Sequence, residues 1–476
     1  MGKTAVVIVH GIGEQSPMET VRGFVRFFAG RFFRSKPDPL AQSFELRRLS
    51  TLAHNEAKAL EEAKLELSEY PPDTVFYEYY WAFHYRNTKP VFVVRWLFQT
   101  LARLFRSGQV RTLGQRTTSV LLAVIAALFI LAIALGLIAW GIADMFYPGA
   151  ARIGGVFKVL FGLFLPRLFQ AFRPVLLSWV GDAARYFDGS PENPIERQQI
   201  RADGVALLER LHAKSEGGKD GDLEYDRIVI VGHSLGSVIA YDMITHYWSR
   251  VNTKIQMEPN LSELAEIESL TQRPLCPTAD AQSWTVPPEA ATADKYMTAQ
   301  AALVARLKSP DWRITDLVTL GSPLTYGRFL LAHSAAELAE RQSQRELPTC
   351  PPVRDESPDQ NNRRSFVYSY GPVTGNRVVP HHAAPFLLTQ WTNMFFPGDP
   401  IGGPLAPYFG WGIRDVEVSF AKKNGNGTAR SWLSYLLDRF GGAHIRYWEL
   451  LNGDPKSPLS PDCAEMLRRI ISRRPS

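Results

Sequence analysis

Cysteine is scarce in this chain: Cys276, Cys350 and Cys463 are the only three in 476 residues, and none stands in Cys-x-x-Cys spacing. Such a set excludes a disulfide framework and a cysteine-ligated zinc centre, and it fits a reducing compartment. No metal and no cofactor is expected. A block of consecutive Lys/Arg is also missing, although the net charge is +6. The arginines are scattered among apolar and aromatic residues, so nucleic acid is not an expected partner. There is no internal repeat. The apolar pentad Ala5–Val9 is too short for the core of a signal peptide, so no secretion signal is expected. Nothing in the pattern specifies an oligomeric state.

What is present alternates between two periodicities. Ala5-Val6-Val7-Ile8-Val9 and Arg227-Ile228-Val229-Ile230-Val231 are apolar, β-branched runs suited to strands buried on both faces. Further strands are expected at 74–81, 316–320, 391–396 and 416–420. Helical spacing occurs at 20–34, 200–211 and 237–248. The alternation implies an α/β fold with a mostly parallel, doubly wound sheet. The stretches 252–312 and 331–385, rich in Pro, Ser, Gln and charge, read as long loop excursions over one end of that sheet.

One segment breaks the rhythm. Residues 120–142 carry no charged side chain over 23 positions. As a helix they would extend roughly 35 Å, enough for a hydrocarbon core of about 30 Å. Arg103, Arg106, Arg111 and Arg116 precede the run, which places its N-terminal side in the cytoplasm by the positive-inside rule. The first strand and the strand at 227–231 belong to one sheet, so the chain must come back. The return segment is 156–180, despite Lys158, Arg167 and Arg173. Residues 91–106 read as an interfacial helix leading in. The expectation is therefore a first part of the domain at 1–89, a membrane insertion at 90–182 and a second part at 183–476. The protein would be integral to a membrane, with its α/β domain on the cytoplasmic side and the bilayer as a partner.

The chemistry is carried by Gly232-His233-Ser234-Leu235-Gly236, placed between an apolar strand and a helical segment. This is Gly-x-Ser-x-Gly in strand–turn–helix context, where a tight turn lifts the serine hydroxyl above the sheet and flanking glycines, Gly232 and Gly236, let backbone pass close by. The N–H of Leu235 at the helix start can donate to an oxyanion. His10-Gly11-Ile12-Gly13 ends the first strand and offers the second donor, the N–H of Ile12, with Gly11 shaping the loop and His10 in a structural role. Asp399, in a Pro-Gly-Asp-Pro turn after a strand, is the expected acid, with Asp415 and Asp438 as alternatives. His444 is the only histidine after Asp399, so the order Ser, Asp, His makes it the base; His381 and His382 are weaker candidates.

Together with Thr319-Leu320-Gly321-Ser322-Pro323-Leu324 and the turn Asn393 to Pro400, these motifs resemble lipase-like α/β-hydrolases. The elbow and acid turn are most similar to the intracellular phospholipases that carry a DDHD region. The resemblance covers about 150 residues in pieces. It implies an α/β-hydrolase fold and hydrolysis of acyl esters, lipid esters above all, by a Ser-His-Asp triad. The chain departs from that family in the insertion at 90–182 and in lacking its region of spaced aspartates with histidine. The same triad would serve a thioesterase or a protein-lipid deacylase. A non-catalytic membrane scaffold on a hydrolase fold is the alternative from another class.

Overall fold

The computed structural model describes residues 3–11, 16–29, 33–38, 45–53, 73–84, 95, 185–187, 194–213, 224–258, 261–271, 290–354, 365–371, 377–397, 399, 401–418, 444, 447 and 461–473. The chain divides into two compact units, one formed by Met1–His84 with Pro194–Ser476 and the other by Tyr85–Asn193. The larger unit is built on a sheet of eight strands.

The β-branched runs become its centre. Thr4–Val9 (β1) lies between Thr74–Tyr79 (β4) and Arg227–His233 (β5), parallel to both. Ile314–Leu320 (β6), Gln390–Phe395 (β9) and Arg414–Glu417 (β10) continue the parallel set. At the other edge Arg47–Thr51 (β3) and Phe33–Pro37 (β2) add antiparallel, giving the order β10-β9-β6-β5-β1-β4-β3-β2. The helix expected over 20–34 ends earlier, as Glu19–Ala29 (α1), and Phe33–Pro37 is the exposed edge strand. Its Pro37, which has no N–H for a ladder, is tolerated at an edge.

Alternation along each strand assigns the two faces. Val6 and Ile8, Val229 and Val231, Val318 and Leu320 join Val21, Phe24, Val25 and Phe28 of α1 in one buried cluster. Leu467, Ile470 and Ile471 of the C-terminal helix Pro461–Ser472 close the same cluster. The opposite face is covered by Leu235–Val251 (α3), which packs on β5, β6 and β1, and by Pro194–Leu211 (α2) lying against α3. Within the stretches read as loop excursions the chain forms the helices Ser262–Leu270 (α4), Ala290–Leu307 (α5) and Ala335–Ser343 (α6). It also forms a separate two-stranded ribbon, Val367–Tyr370 (β7) with Arg377–Pro380 (β8).

The membrane expectation is corrected. Among the described residues no helix is long and apolar enough to cross a membrane. The span at 120–142, the return at 156–180 and the interfacial helix at 91–106 lie, apart from Arg95, outside the described residues. The fold described is a mixed α/β sheet, not a hydrolase fold with a transmembrane hairpin, and nothing described supports an integral membrane protein. The physical reason is visible in the long helices. Asp242 and Arg250 interrupt α3, and Asp294, Lys295 and Arg306 interrupt α5, so their apolar residues form faces for packing, not continuous spans. Apolar length in a sequence measures preference for a dry environment; it does not by itself specify a bilayer.

Two buried charged groups bind distant segments together. Arg227, at the start of β5, is 2% exposed. It donates to Asp316 Oδ2 at 2.6 Å, to Thr315 Oγ1 at 2.8 Å and to the carbonyls of Ile470 (2.6 Å) and Arg473 (2.9 Å). One guanidinium thus joins two central strands to the last carbonyls of the C-terminal helix, which lack partners within the helix. Arg227→Met leaves Asp316 and those carbonyls buried and short of donors. It is expected to destabilise the fold by about 3–5 kcal/mol in a denaturant titration; a loss near zero would contradict this role.

Glu78, next to last in β4, receives the N–H of Met18, which has φ 70°, and the N–H of Val21 at the start of α1. Its Oε1 is sealed without a partner. Burial outweighs the two N–H groups and raises the carboxyl from 4.5 to about 7. The folded protein then holds a proton that the unfolded chain releases near pH 4.5, so this group lowers stability as pH rises from about 4.5 to about 7. Glu78→Gln is expected to remove a stability difference on the order of 3 kcal/mol between about pH 4 and about pH 8. Parallel pH profiles for the two proteins would refute it.

Candidate active site

The four parallel strands β1, β5, β6 and β9 deliver their carboxyl ends to one edge of the sheet, where ligand sites of open α/β sheets form. His10 and Gly11 follow β1, Ser234 follows β5, Gly321 and Ser322 follow β6, and Asp399 follows β9.

Ser234 sits between β5 and α3 with φ 52° and ψ −130°, a conformation that costs a non-glycine residue on the order of 1–3 kcal/mol. Hydrogen bonds hold it there. Its N–H donates to Leu320 O at 2.9 Å, and its carbonyl accepts from Ser237 N–H at 2.9 Å and from Ser237 Oγ at 2.5 Å. Ser237 Oγ also lies 2.7 Å from Ser322 Oγ, which ties the elbow to the end of β6. The flanking glycines are a matter of space. A β-carbon on Gly236 would stand 2.3 Å from the carbonyl oxygens of Val9 and His10, and one on Gly232 would stand 2.6 Å from Ser237 Cα. Gly11 also passes close, since its β-carbon would be 2.9 Å from Ser234 Cβ.

Ser234, His444 and Asp399 form one continuous chain of hydrogen bonds. Ser234 Oγ donates to His444 Nε2 at 2.8 Å. His444 Nδ1–H donates to Asp399, 2.9 Å from Oδ2 and 3.1 Å from Oδ1. All three are buried. Burial by itself would raise the Asp399 carboxyl. The His444 charge and hydrogen bonds from His444 and from the N–H groups of Ile401 and Gly402 outweigh it and hold the carboxyl below its usual range. Asp399 therefore stays an acceptor, which assigns the proton of His444 to Nδ1 and leaves Nε2 bare toward the serine.

The other expected residues divide. Leu235 is the first residue of α3, so its N–H has no intrahelical acceptor. Ile12 lies outside the described residues. His10 is fully buried, and burial lowers it to about 4. Its ring stacks on Trp81 at 5.2 Å, while its carbonyl accepts from Trp81 Nε1 at 2.8 Å. Asp415 is turned away, accepting from Asn393 Nδ2 at 2.7 Å and from the N–H groups of Leu405 and Ala406. Asp438 lies outside the described residues. His381 bonds the Val353 carbonyl at 2.9 Å, away from the serine line.

Two residues at the site had no role assigned by sequence reasoning. His233, the variable position of the elbow, donates from Nε2 to the His444 carbonyl at 3.1 Å. Burial, with the His444 charge, lowers it to about 3, so it stays neutral. Tyr447 donates its hydroxyl to Asp399 Oδ2 at 2.9 Å. Its only sequence signal is the spacing of three from His444.

No family model, no curated protein and no solved structure matches this chain. Gly236→Ala is expected to cost at least about 3 kcal/mol, because backbone carbonyls cannot retreat as a side chain can. A melting curve equal to that of the wild type would contradict the close approach of α3 to β1.

Proposed function

We propose that this protein is a serine hydrolase of acyl esters, with Ser234 as nucleophile, His444 as general base and acid, and Asp399 as the carboxylate that orients and stabilises the imidazole. The observation that carries the reading is the unbroken hydrogen-bond line from Ser234 Oγ through His444 to Asp399, anchored on a strained strand-to-helix turn. Fixed geometry of this kind supplies catalysis by orientation and by charge placement.

The chemistry follows from the atoms. Ser234 Oγ forms a bond to the ester carbonyl carbon as its proton passes to His444 Nε2. The carbonyl oxygen becomes an oxyanion, which the Leu235 N–H at the start of α3 stabilises together with a donor from the turn after β1, the role expected of Ile12. The C–O bond to the alcohol breaks as His444 returns the proton to the leaving oxygen. A water molecule then attacks the acyl-serine, giving its proton to His444, and the acid leaves as Ser234 is restored. Asp399, held ionised, matches the positive charge that the ring carries in both steps.

Lipid esters are the substrate class that the lipase-like resemblance favours. Ser234→Ala is expected to lower kcat/KM on short p-nitrophenyl esters by about 10⁴-fold or more. It should also abolish labelling by a fluorophosphonate probe. Labelling that persists in Ser234→Ala sinks the assignment.

A further inference from the structure

Residues 444 and 447 are both helical and three apart in the sequence. Both reach the same oxygen. His444 Nδ1 and Tyr447 Oη each lie 2.9 Å from Asp399 Oδ2. The phenol oxygen in turn accepts the Phe396 N–H at 2.8 Å, at the exit of β9. The ring is held on several sides, by Phe396 at 4.8 Å, by His233 at 5.5 Å and by Gly321, where a β-carbon would stand 2.6 Å from Tyr447 Cε2. Tyr447 is 3% exposed, so no solvent competes for its hydroxyl.

We propose that Tyr447 is a positioning residue of the proton relay: its hydroxyl locks Asp399 Oδ2 against His444 and shares that oxygen's charge, so it sets the pH range in which His444 acts as base. This rests on the hydrolase reading above and deepens it. A carboxylate oxygen that accepts from a phenol has less charge left for the imidazolium beside it. Removing the phenol donor leaves the charged ring better stabilised, so His444 keeps its proton to higher pH. It also frees the carboxylate to turn, which loosens the imidazole. Among the described residues, the following groups also face this trio. His233 at the end of β5 is neutral, and His10, which follows β1, is neutral too. The acid loop contributes the backbone N–H groups of Ile401 and Gly402, and the β6 exit contributes Gly321. The lowered carboxyl of Asp399 agrees with an oxygen pair surrounded by donors.

The test measures the rate of fluorophosphonate labelling at Ser234 against pH, which needs no knowledge of the natural substrate. In Tyr447→Phe the acidic limb is expected to move up by about 0.5–1 pH unit, and the plateau rate to fall about tenfold. A purely structural role would reduce the labelled fraction and leave the limb in place. Replacing Tyr447 by 3-fluorotyrosine, a stronger donor of nearly the same shape, should move the limb the opposite way, and it serves if Tyr447→Phe does not fold. Limbs that superimpose in wild type and variant overturn the proposal while the hydrolase reading stands. A wild type that is not labelled at Ser234 overturns both.

Discussion

The turn between β5 and α3 is the constraint on which the rest of the larger unit hangs. Ser234 takes a backbone conformation that its side chain disfavours, and it keeps that conformation because neighbours on β1, β6 and α3 hold it. Leu320 of β6 accepts its N–H, Ser237 donates to its carbonyl and pairs through its own hydroxyl with Ser322, and the carbonyls of Val9 and His10 stand close to Gly236 at the end of β1. The serine is therefore presented at the sheet edge by packing of the whole centre of the sheet. The same contacts set the start of α3 against the end of β1 at Val9.

Around that turn the interior holds several buried polar groups joined by hydrogen bonds. Asp399 receives donors from His444, Tyr447 and Ile401. His233 spends its one proton on the His444 carbonyl and fixes the base from behind. Buried polar groups of this kind are costly when unpaired and directional when paired. Rigidity at the site and stability of the fold are thus the same set of hydrogen bonds. Arg227 does the equivalent at the opposite end of the strands, where it ties the C-terminal helix to β5 and β6.

Much of this was legible in the sequence for a definite reason. The runs at 5–9 and 227–231 are continuously apolar and β-branched, and strands buried on both faces require that. The elbow was legible because its glycines and its strand–turn–helix setting have few other uses. The edge strand Phe33–Pro37 was not, because four of its five residues are exposed and carry no alternation; the helical spacing before it was extended too far. The helices α4 and α5 were hidden inside polar stretches because their apolar faces are narrow. The membrane hairpin was read from apolar length, flanking arginines and the need to return to one sheet, whereas no helix among the described residues is long and apolar enough to cross a membrane.

The sequence by itself determined the central strands, the serine at the elbow and the chain order in which an acid and a histidine follow it. These are local properties, set by periodicity, by glycine and by order along the chain. Only the tertiary structure decided that Asp399, in the turn after β9, and not Asp415, within β10, meets His444. It alone brought Tyr447 onto Asp399 and His233 onto the His444 carbonyl. Those contacts join residues 48 and 211 positions apart, and only the packing of the folded chain brings such distant side chains within hydrogen-bond reach.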